Sequence, residues 1–315
     1  MAEPTRAVVT HGTFDGVHVG HAALVAETVR QARVVGAEAV VVTYDPHPRE
    51  VLRGEAVPRL TSADERIERL LAAGADRVEV VAFTRELAAM EADAFARDVL
   101  VGRFGAVHVV AGHDHRYGAQ RGGTLDALRA QGAALGFGVT VVGPVDAGGA
   151  PVSSSRLRRA LVAGDVAGAE AMLGRRYALG GTVVGGDRIG RTLGFPTANL
   201  RADDARLVVP AHGVYAARAV VEAASEDRAW PGDAVAAGVY DALVSVGVRP
   251  TFAGPGDVRV EAWLYDVSGD LYERRVRIEF AERLRGEARF DGADALVAQM
   301  REDAVLGARL LGRLS

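Results

Sequence analysis

Cysteine is absent from the 315 residues, and so is lysine: all 37 basic residues are arginine. The first absence excludes disulfides, thiol nucleophiles and thiolate metal sites, and it fits a cytoplasmic location. The second removes the lysine of a Walker A loop and the amine of a Schiff-base enzyme. Phosphate charge, wherever it is handled, must be met by arginine, backbone N–H groups, histidine or a metal ion. No apolar run is long enough to cross a bilayer, and the start MAEPTRAVVTHG has no basic segment leading into an apolar one, so neither a membrane span nor a signal peptide is expected. A net charge of -4 leaves no electrostatic footprint for nucleic acid. The partners expected are small molecules, with no nucleic acid and no membrane; the oligomeric state is not written in the sequence.

What is present is a globular composition, 49% hydrophobic and 25% charged, in a chain long enough for two cores. Histidine is unevenly spread: His11, His18, His21, His47, His108, His113 and His115 come early, and only His212 follows. Histidine-dependent chemistry therefore belongs to the first domain.

In that domain Ala7 to Thr10, Ala39 to Tyr44, Val78 to Phe83, Val107 to Ala111 and Val139 to Val142 read as strands. Helical stretches lie between them: Ala22 to Val35, a capping box at Ser62 to Glu65 opening a helix to about Ala73, Asp93 to Arg103, and Leu125 to Leu135. Alternation of this kind predicts a parallel sheet with ligands beyond the carboxyl ends of its strands. GTFDGVHVGH (12–21), YDPHP, AGHDHRYG and PVSSSRLR all fall at such ends. Gly12 and Gly16 permit a tight turn whose N–H groups can face a phosphate, and the following helix offers its positive end. His18 and His21 can face the same anion, and Ser154, Ser155 and Arg158 supply hydroxyls and a guanidinium. Each feature has a bland alternative: a helix cap or surface residue for either histidine, an N-cap cluster for the serines, a rigid turn for His47. A metal hydrolase using His18, His21, His47, His113 and His115 is the rival chemistry.

Short helices at Leu157 to Leu161 and Val166 to Leu173 precede a change of pattern, so the boundary is placed to give domains 1–174 and 175–315. Strand signals then follow closely: Tyr177 to Val184, Leu207 to Val209, Gly213 to Val221, Asp241 to Val246, Val258 to Tyr265 and Arg275 to Phe280. Gly/Asp turns separate them, and a final helix runs from Asp294 to Leu311, which predicts a small antiparallel barrel with a covering helix. The loop GRTLGFPTANL interrupts it. Gly190 and Gly194 allow close approach to a nucleotide, and Phe195 and Pro196 shape the turn that presents Thr197 and Asn199. Their hydroxyl and amide oxygens are hard donors suited to Mg²⁺ bound to ATP phosphates. Glu261, in mid-strand, is the candidate base; judged alone it is equally the polar face of a half-buried strand, and the loop a surface turn.

His18-Val19-Gly20-His21 matches the HxGH signature of nucleotidyltransferases, and the wider GTFDGVHVGH resembles the opening of bacterial bifunctional riboflavin kinase/FAD synthetases. YDPHP and VSSSRLR are similar to that family's FDPHP and ISSTxIR, and GRTLGFPTANL, HGVYAA, SVGVRPTF and VEAWLYD to its kinase motifs. The resemblance covers nearly the whole chain. It implies an α/β fold, an N-terminal parallel-sheet (Rossmann-like) nucleotidyltransferase domain joined to a C-terminal β-barrel kinase domain. It further implies phosphorylation of riboflavin to FMN and adenylylation of FMN to FAD, with Mg²⁺ and ATP. It assigns Gly12, Thr13, Phe14, Asp15, Gly16, His18, His21, Asp114, Ser154, Ser155 and Arg158 to the adenylyltransferase site. It assigns Gly190, Gly194, Phe195, Pro196, Thr197, Asn199, Arg285 and Phe290 to the kinase site, with Thr197 and Asn199 on the metal and Glu261 as base. Three positions depart from the family pattern. His11 is polar where the family is apolar, His115 stands where it has an aromatic, and Glu273 replaces a glycine. Two narrower outcomes stay open: a kinase whose first domain is inactive or altered in specificity, and a non-catalytic flavin sensor.

Overall fold

The structure is a computed structural model that describes residues 5–186, 194–223, 234–248 and 258–313. It divides into two compact units, Met1–Ser154 and Ser155–Ser315.

The first unit is built on a sheet of five strands: β1 (Ala7–His11), β2 (Glu38–Asp45), β3 (Arg77–Ala82), β4 (Ala106–Gly112) and β5 (Gly138–Val142), in the order β3-β2-β1-β4-β5. Every neighbouring pair is parallel. The nearly unbroken Val/Ala runs of β1 and β2 are buried along their length, as a sheet covered on both faces requires. Helices α1 (Val19–Val35), α2 (Pro48–Arg53), α3 (Ala63–Ala72), α4 (Arg85–Ala89), α5 (Ala92–Ala94) and α6 (Leu125–Leu135) make the connections, and a hairpin of β6 (Asp146–Ala147) and β7 (Ala150–Pro151) follows β5. Because β1 and β4 are neighbours while the chain leaves them in opposite directions across the sheet, the ligand crevice expected of this topology opens at their carboxyl ends.

Sequence periodicity located the five strands and the longer helices of this unit but not α4 or the β6–β7 hairpin, and two further segments differ. The helix expected over 93–103 is α5 running into a wider π turn, Phe95–Val101, which buries Phe95, Ala96 and Leu100. Pro48–Arg53 is a short helix rather than a turn alone: His47 caps it, and Glu50 reaches back to the His47 N–H in a capping box.

In the second unit, α7 (Ser154–Ala163) and α8 (Val166–Leu173) lead into a closed barrel. Its strands are β8 (Tyr177–Val184), β9 (Ala198–Ala202), β10 (Gly213–Val221), β11 (Gly238–Val248), β12 (Val258–Leu264) and β13 (Arg275–Arg285), ordered β10-β11-β12-β9-β8-β13. The helix α9 (Ala293–Leu310) covers one side, where Ala308 and Leu311 pack on Ala216, Leu243 and Tyr265. Leu207 to Val209 forms none of these strands; Leu207 and Val208 are buried, and the Val208 carbonyl instead accepts from the Tyr177 hydroxyl at 2.6 Å. Conversely β9, read as loop, is a strand that pairs with both β8 and β12.

Glu273, the residue in place of the family's glycine, has φ +61° and donates its N–H to the Val183 carbonyl at 2.8 Å. An L side chain is strained in that region by about 1–2 kcal/mol. Glu273→Gly is therefore expected to stabilise the barrel by about 0.5–1 kcal/mol, part of the relief being offset by the freer unfolded chain; urea unfolding midpoints check it.

Candidate functional site

The loop between β1 and α1 is held from below by one buried carboxylate. Asp15 is fully buried and accepts from the N–H groups of Leu60 and Thr61 at 3.0 to 3.2 Å. The Gly16 N–H donates to the Thr61 hydroxyl at 3.2 Å, and the Ser154 hydroxyl donates to the Asp15 carbonyl at 2.9 Å. Gly12 donates to the Val42 carbonyl at 3.0 Å. Both glycine amides are thus committed within the protein, and what the glycines contribute is room and conformation. Gly16 has φ +86°, and a Cβ there would lie 2.8 Å from the Leu60 side chain. Thr13 is fixed through its carbonyl by the Thr43 hydroxyl at 3.0 Å, and Phe14 is buried with φ +48°. Asp15→Ala would strand the amides of Leu60 and Thr61 in the interior. It is expected to cost about 2–4 kcal/mol, read as a fall in the urea midpoint.

That constraint sets up the two histidines. His18 is the N-cap of α1 and its Nδ1 accepts from the His21 N–H at 3.2 Å. The imidazoles stack, centroids 3.6 Å apart and 15° from parallel, and His21 meets the Phe14 ring edge-on at 5.1 Å. The first turn of α1 carries no acidic residue, so the positive end of the helix is not offset there. Burial first, and the neighbouring His18 second, hold the His21 pKa well below its usual value. Nδ1 of His21 is buried with no hydrogen-bond partner among the described residues. An orphaned ring nitrogen at a helix N-terminus is suited to an anion's oxygen or proton.

The other expected residues of this unit leave the same strand ends. Asp114 is exposed in the loop after β4. His115 hydrogen-bonds His11 through their Nε2 atoms at 3.0 Å, so it does not join the rival metal cluster; no group of three or more His, Asp or Glu among the described residues is placed to hold a metal ion. Ser154 closes the first unit, while Ser155 and Arg158 lie on the first turns of α7, which continues into the second.

Burial also holds His11 well below the usual imidazole range, and His115 is lowered to about 4, again chiefly by burial. Unfolded imidazoles take up protons near pH 6.5, whereas these three resist them when folded. Their contribution to stability is intact above about pH 6.5 and is lost as pH falls toward the folded values, by up to about 1.4 kcal/mol per pH unit for each ring. The urea midpoint of the first unit is expected to fall between pH 7 and pH 5, and less so in a variant lacking His11 and His115.

In the second unit the residues meet through strand register. Glu261 of β12 lies directly opposite Asn199 of β9, and Asn199 in turn opposite Val184 of β8. The Asn199 side chain approaches Gly186 so closely that a Cβ there would lie 2.1 Å from its Nδ2, which only glycine permits. Glu261 is half-buried, with Arg259, two residues along the same face, 3.5 Å away. Trp263, next on that face, meets Phe195 at 5.0 Å between ring centroids. Gly194 takes φ +82° just before this contact. Pro196 and Thr197 border a cavity of about 890 Å³ that Val183, Ala262, Leu264 and the 267–272 turn complete. Gly190 lies outside the described residues.

Arg285 forks onto Asp303 of α9, with contacts of 2.7 to 3.1 Å, and its guanidinium sits 5.7 Å from the Phe290 ring centre. It thereby ties α9 to β13 beside Phe290. Sequence reasoning had no signal for Asp303, Trp263 or the Leu60-Thr61 amides: each matters through a partner far away in the chain.

Comparison with known proteins agrees with both halves. The FAD synthetase family model matches residues 1–156 and the riboflavin kinase model residues 173–311. The chain is 37% identical over 304 residues to the bifunctional riboflavin kinase/FMN adenylyltransferase of Pseudomonas fluorescens, covering 96% of this chain and 92% of that one. It is 36% identical to the protein of the same description from Escherichia coli (strain K12), covering 97% and 93%. A solved Streptococcus pneumoniae chain described as a macrolide-efflux protein superposes with a TM-score of 0.85 at 29% identity, over 98% of this chain and 95% of that one. No helix among the described residues is long and apolar enough to cross a membrane. With both family domains present in order and near-full-length relatives, this chain belongs to the bifunctional riboflavin kinase/FMN adenylyltransferase family.

Proposed function

We propose that the chain makes FMN from riboflavin and ATP in its barrel, and FAD from FMN and a second ATP in its N-terminal domain, with residues 1–174 and 175–315 as the functional halves. The observation that carries this is the register pair of Glu261 and Asn199, the latter two residues along the chain from Thr197. A carboxylate, an amide oxygen and a hydroxyl are what phosphoryl transfer to a hydroxyl group needs from a protein without lysine.

In the barrel, Glu261 accepts the proton of the riboflavin 5′-hydroxyl as that oxygen attacks the ATP γ-phosphorus in line; ADP leaves. Thr197 and Asn199 would hold Mg²⁺. The donor set fits, because a hydroxyl and an amide oxygen are hard, neutral donors that would suit an ion shared with ATP phosphates. When bound, the ion neutralises charge on the transferring phosphoryl group. Gly190, Gly194, Phe195 and Pro196 shape the nucleotide loop. Phe290, braced by Arg285, serves the flavin end.

In the N-terminal domain an FMN phosphate oxygen attacks the α-phosphorus of ATP and pyrophosphate leaves. His18, His21 and the N-terminus of α1 meet the phosphate charge, with Ser154, Ser155 and Arg158 completing the phosphate contacts. Gly12 to Gly16 and Asp114 line the nucleotide's approach. Small-molecule partners only, and a cytoplasmic location, suit this chemistry.

The test is incubation with riboflavin, ATP and Mg²⁺, separating FMN and FAD by chromatography. Both products are expected in sequence. FMN without FAD removes the adenylyltransferase half, and neither product with riboflavin still bound leaves a flavin sensor.

A further inference from the structure

Two of the three departures from the family pattern, His11 and His115, are 104 residues apart in sequence and in direct contact. His11 ends β1 and His115 follows β4, the neighbouring strands whose carboxyl ends frame the crevice. The Tyr44 hydroxyl, reaching across from β2, lies 3.1 Å from Nδ1 of His11, and Nε2 of His11 lies 3.0 Å from Nε2 of His115. Phe95 and Tyr117 pack around these rings, with centroids 5.1 and 5.8 Å from that of His11.

The direction of the two hydrogen bonds follows from the hydroxyl. Tyr44 is buried, and burial pushes its pKa well above the usual phenol value, so it keeps its proton. A buried O–H left without an acceptor is costly, and the acceptor within reach is Nδ1 of His11. His11 then carries its own proton on Nε2 and donates it to Nε2 of His115. His115, accepting at Nε2, carries its proton on Nδ1. The low pKa values of both rings keep the pair neutral near pH 7, which this arrangement requires. One ring alone would leave the tautomer unassigned; the chain of three assigns it.

We propose that Tyr44 and His11 are positioning residues that lock His115 as its Nδ1–H tautomer, and that His115 donates this hydrogen bond to an acceptor on the flat heterocycle of a substrate of adenylyl transfer. His115 would thereby determine specificity in this chain, where an aromatic ring would offer packing alone. This rests on the first unit being an adenylyltransferase. The ligand class is an acceptor-bearing ring, flavin or adenine, and the experiment tells which.

Two measurements on the full chain decide it. Long-range ¹H–¹⁵N spectra of the histidine rings at pH 7 should report Nε2–H for His11 and Nδ1–H for His115, and Tyr44→Phe should mix the His11 tautomers. The reverse tautomers overturn the relay. Kinetics of FAD formation from FMN and ATP should then show the KM of one substrate rising about tenfold in His115→Phe, with kcat little changed. His115→Asn, whose amide nitrogen can stand near Nδ1, should restore most of the loss. The triple variant Tyr44→Phe/His11→Leu/His115→Phe leaves no polar group of the relay stranded, so it keeps the result readable if His115→Phe folds poorly, and it should show the same KM rise. A rise for FMN assigns the flavin and a rise for ATP the adenine; unchanged KM for both overturns the proposal. If the unaltered protein makes no FAD, the adenylyltransferase reading falls. Calorimetric titration with FMN and with ATP then takes the place of kinetics, and equal Kd values for the unaltered protein and His115→Phe overturn the contact.

Discussion

Glu261→Gln is expected to lower kcat for FMN formation by about 10²- to 10⁴-fold while riboflavin still binds, as read by quenching of flavin fluorescence. The substitution keeps the shape of the side chain and removes its ability to take a proton. Glu261 sits in the middle of β12, held by register against Asn199 on one side and Ser245 on the other. The barrel therefore fixes where the carboxylate starts from. Its neighbour Arg259 lies 3.5 Å away on the same face. A positioning role alone would raise KM and leave kcat near normal. Turnover unchanged in the glutamine variant would remove Glu261 as the base, and lost binding would mean that it holds the flavin instead. FAD formation supplied with ready-made FMN should be unaffected, because its chemistry belongs to the other unit.

Much of this is legible in the sequence, and for a physical reason. Period-two alternation in VRVEAWL puts Glu261 on the face opposite Val260 and Ala262, and the structure has those two buried while Glu261 is half-exposed. The cap at Ser62 was equally plain, since it is a local pattern: Ser62 accepts from the Glu65 N–H at 3.1 Å, although the Glu65 carboxylate takes Arg69 instead of closing a capping box. What was hidden depends on who faces whom. Nothing in TAN announces a strand, because β9 is only five residues long and earns its place by pairing on both sides. Likewise the Gly12 and Gly16 amides read as phosphate donors until Val42 and Thr61, remote in sequence, are seen to accept from them. The polar residue at His11 stood out as an oddity, but its partner could be found only in three dimensions.

His21→Ala is expected to lower kcat for FAD formation by about 10²- to 10³-fold, the usual cost of one donor aimed at developing charge, with FMN formation unchanged. The ring is preorganised before the reaction: His18 anchors the His21 N–H, the two imidazoles stack, and Phe14 meets His21 edge-on at 5.1 Å. Burial keeps His21 neutral in the free protein, so a bound triphosphate meets a ring that can still gain a proton. An anion beside it raises its pKa, so the bound state holds more protons than the free one. Linkage then requires ATP to bind more tightly as pH falls from 8 to 6, read as a falling KM for ATP in the FAD assay. In His21→Gln that slope should flatten while some activity survives, since the amide still donates but does not titrate. If the slope persists in His21→Gln, the proton belongs to another group. If kcat for FAD formation is unchanged in His21→Ala, the stacked pair is a helix cap and the phosphate charge is met elsewhere.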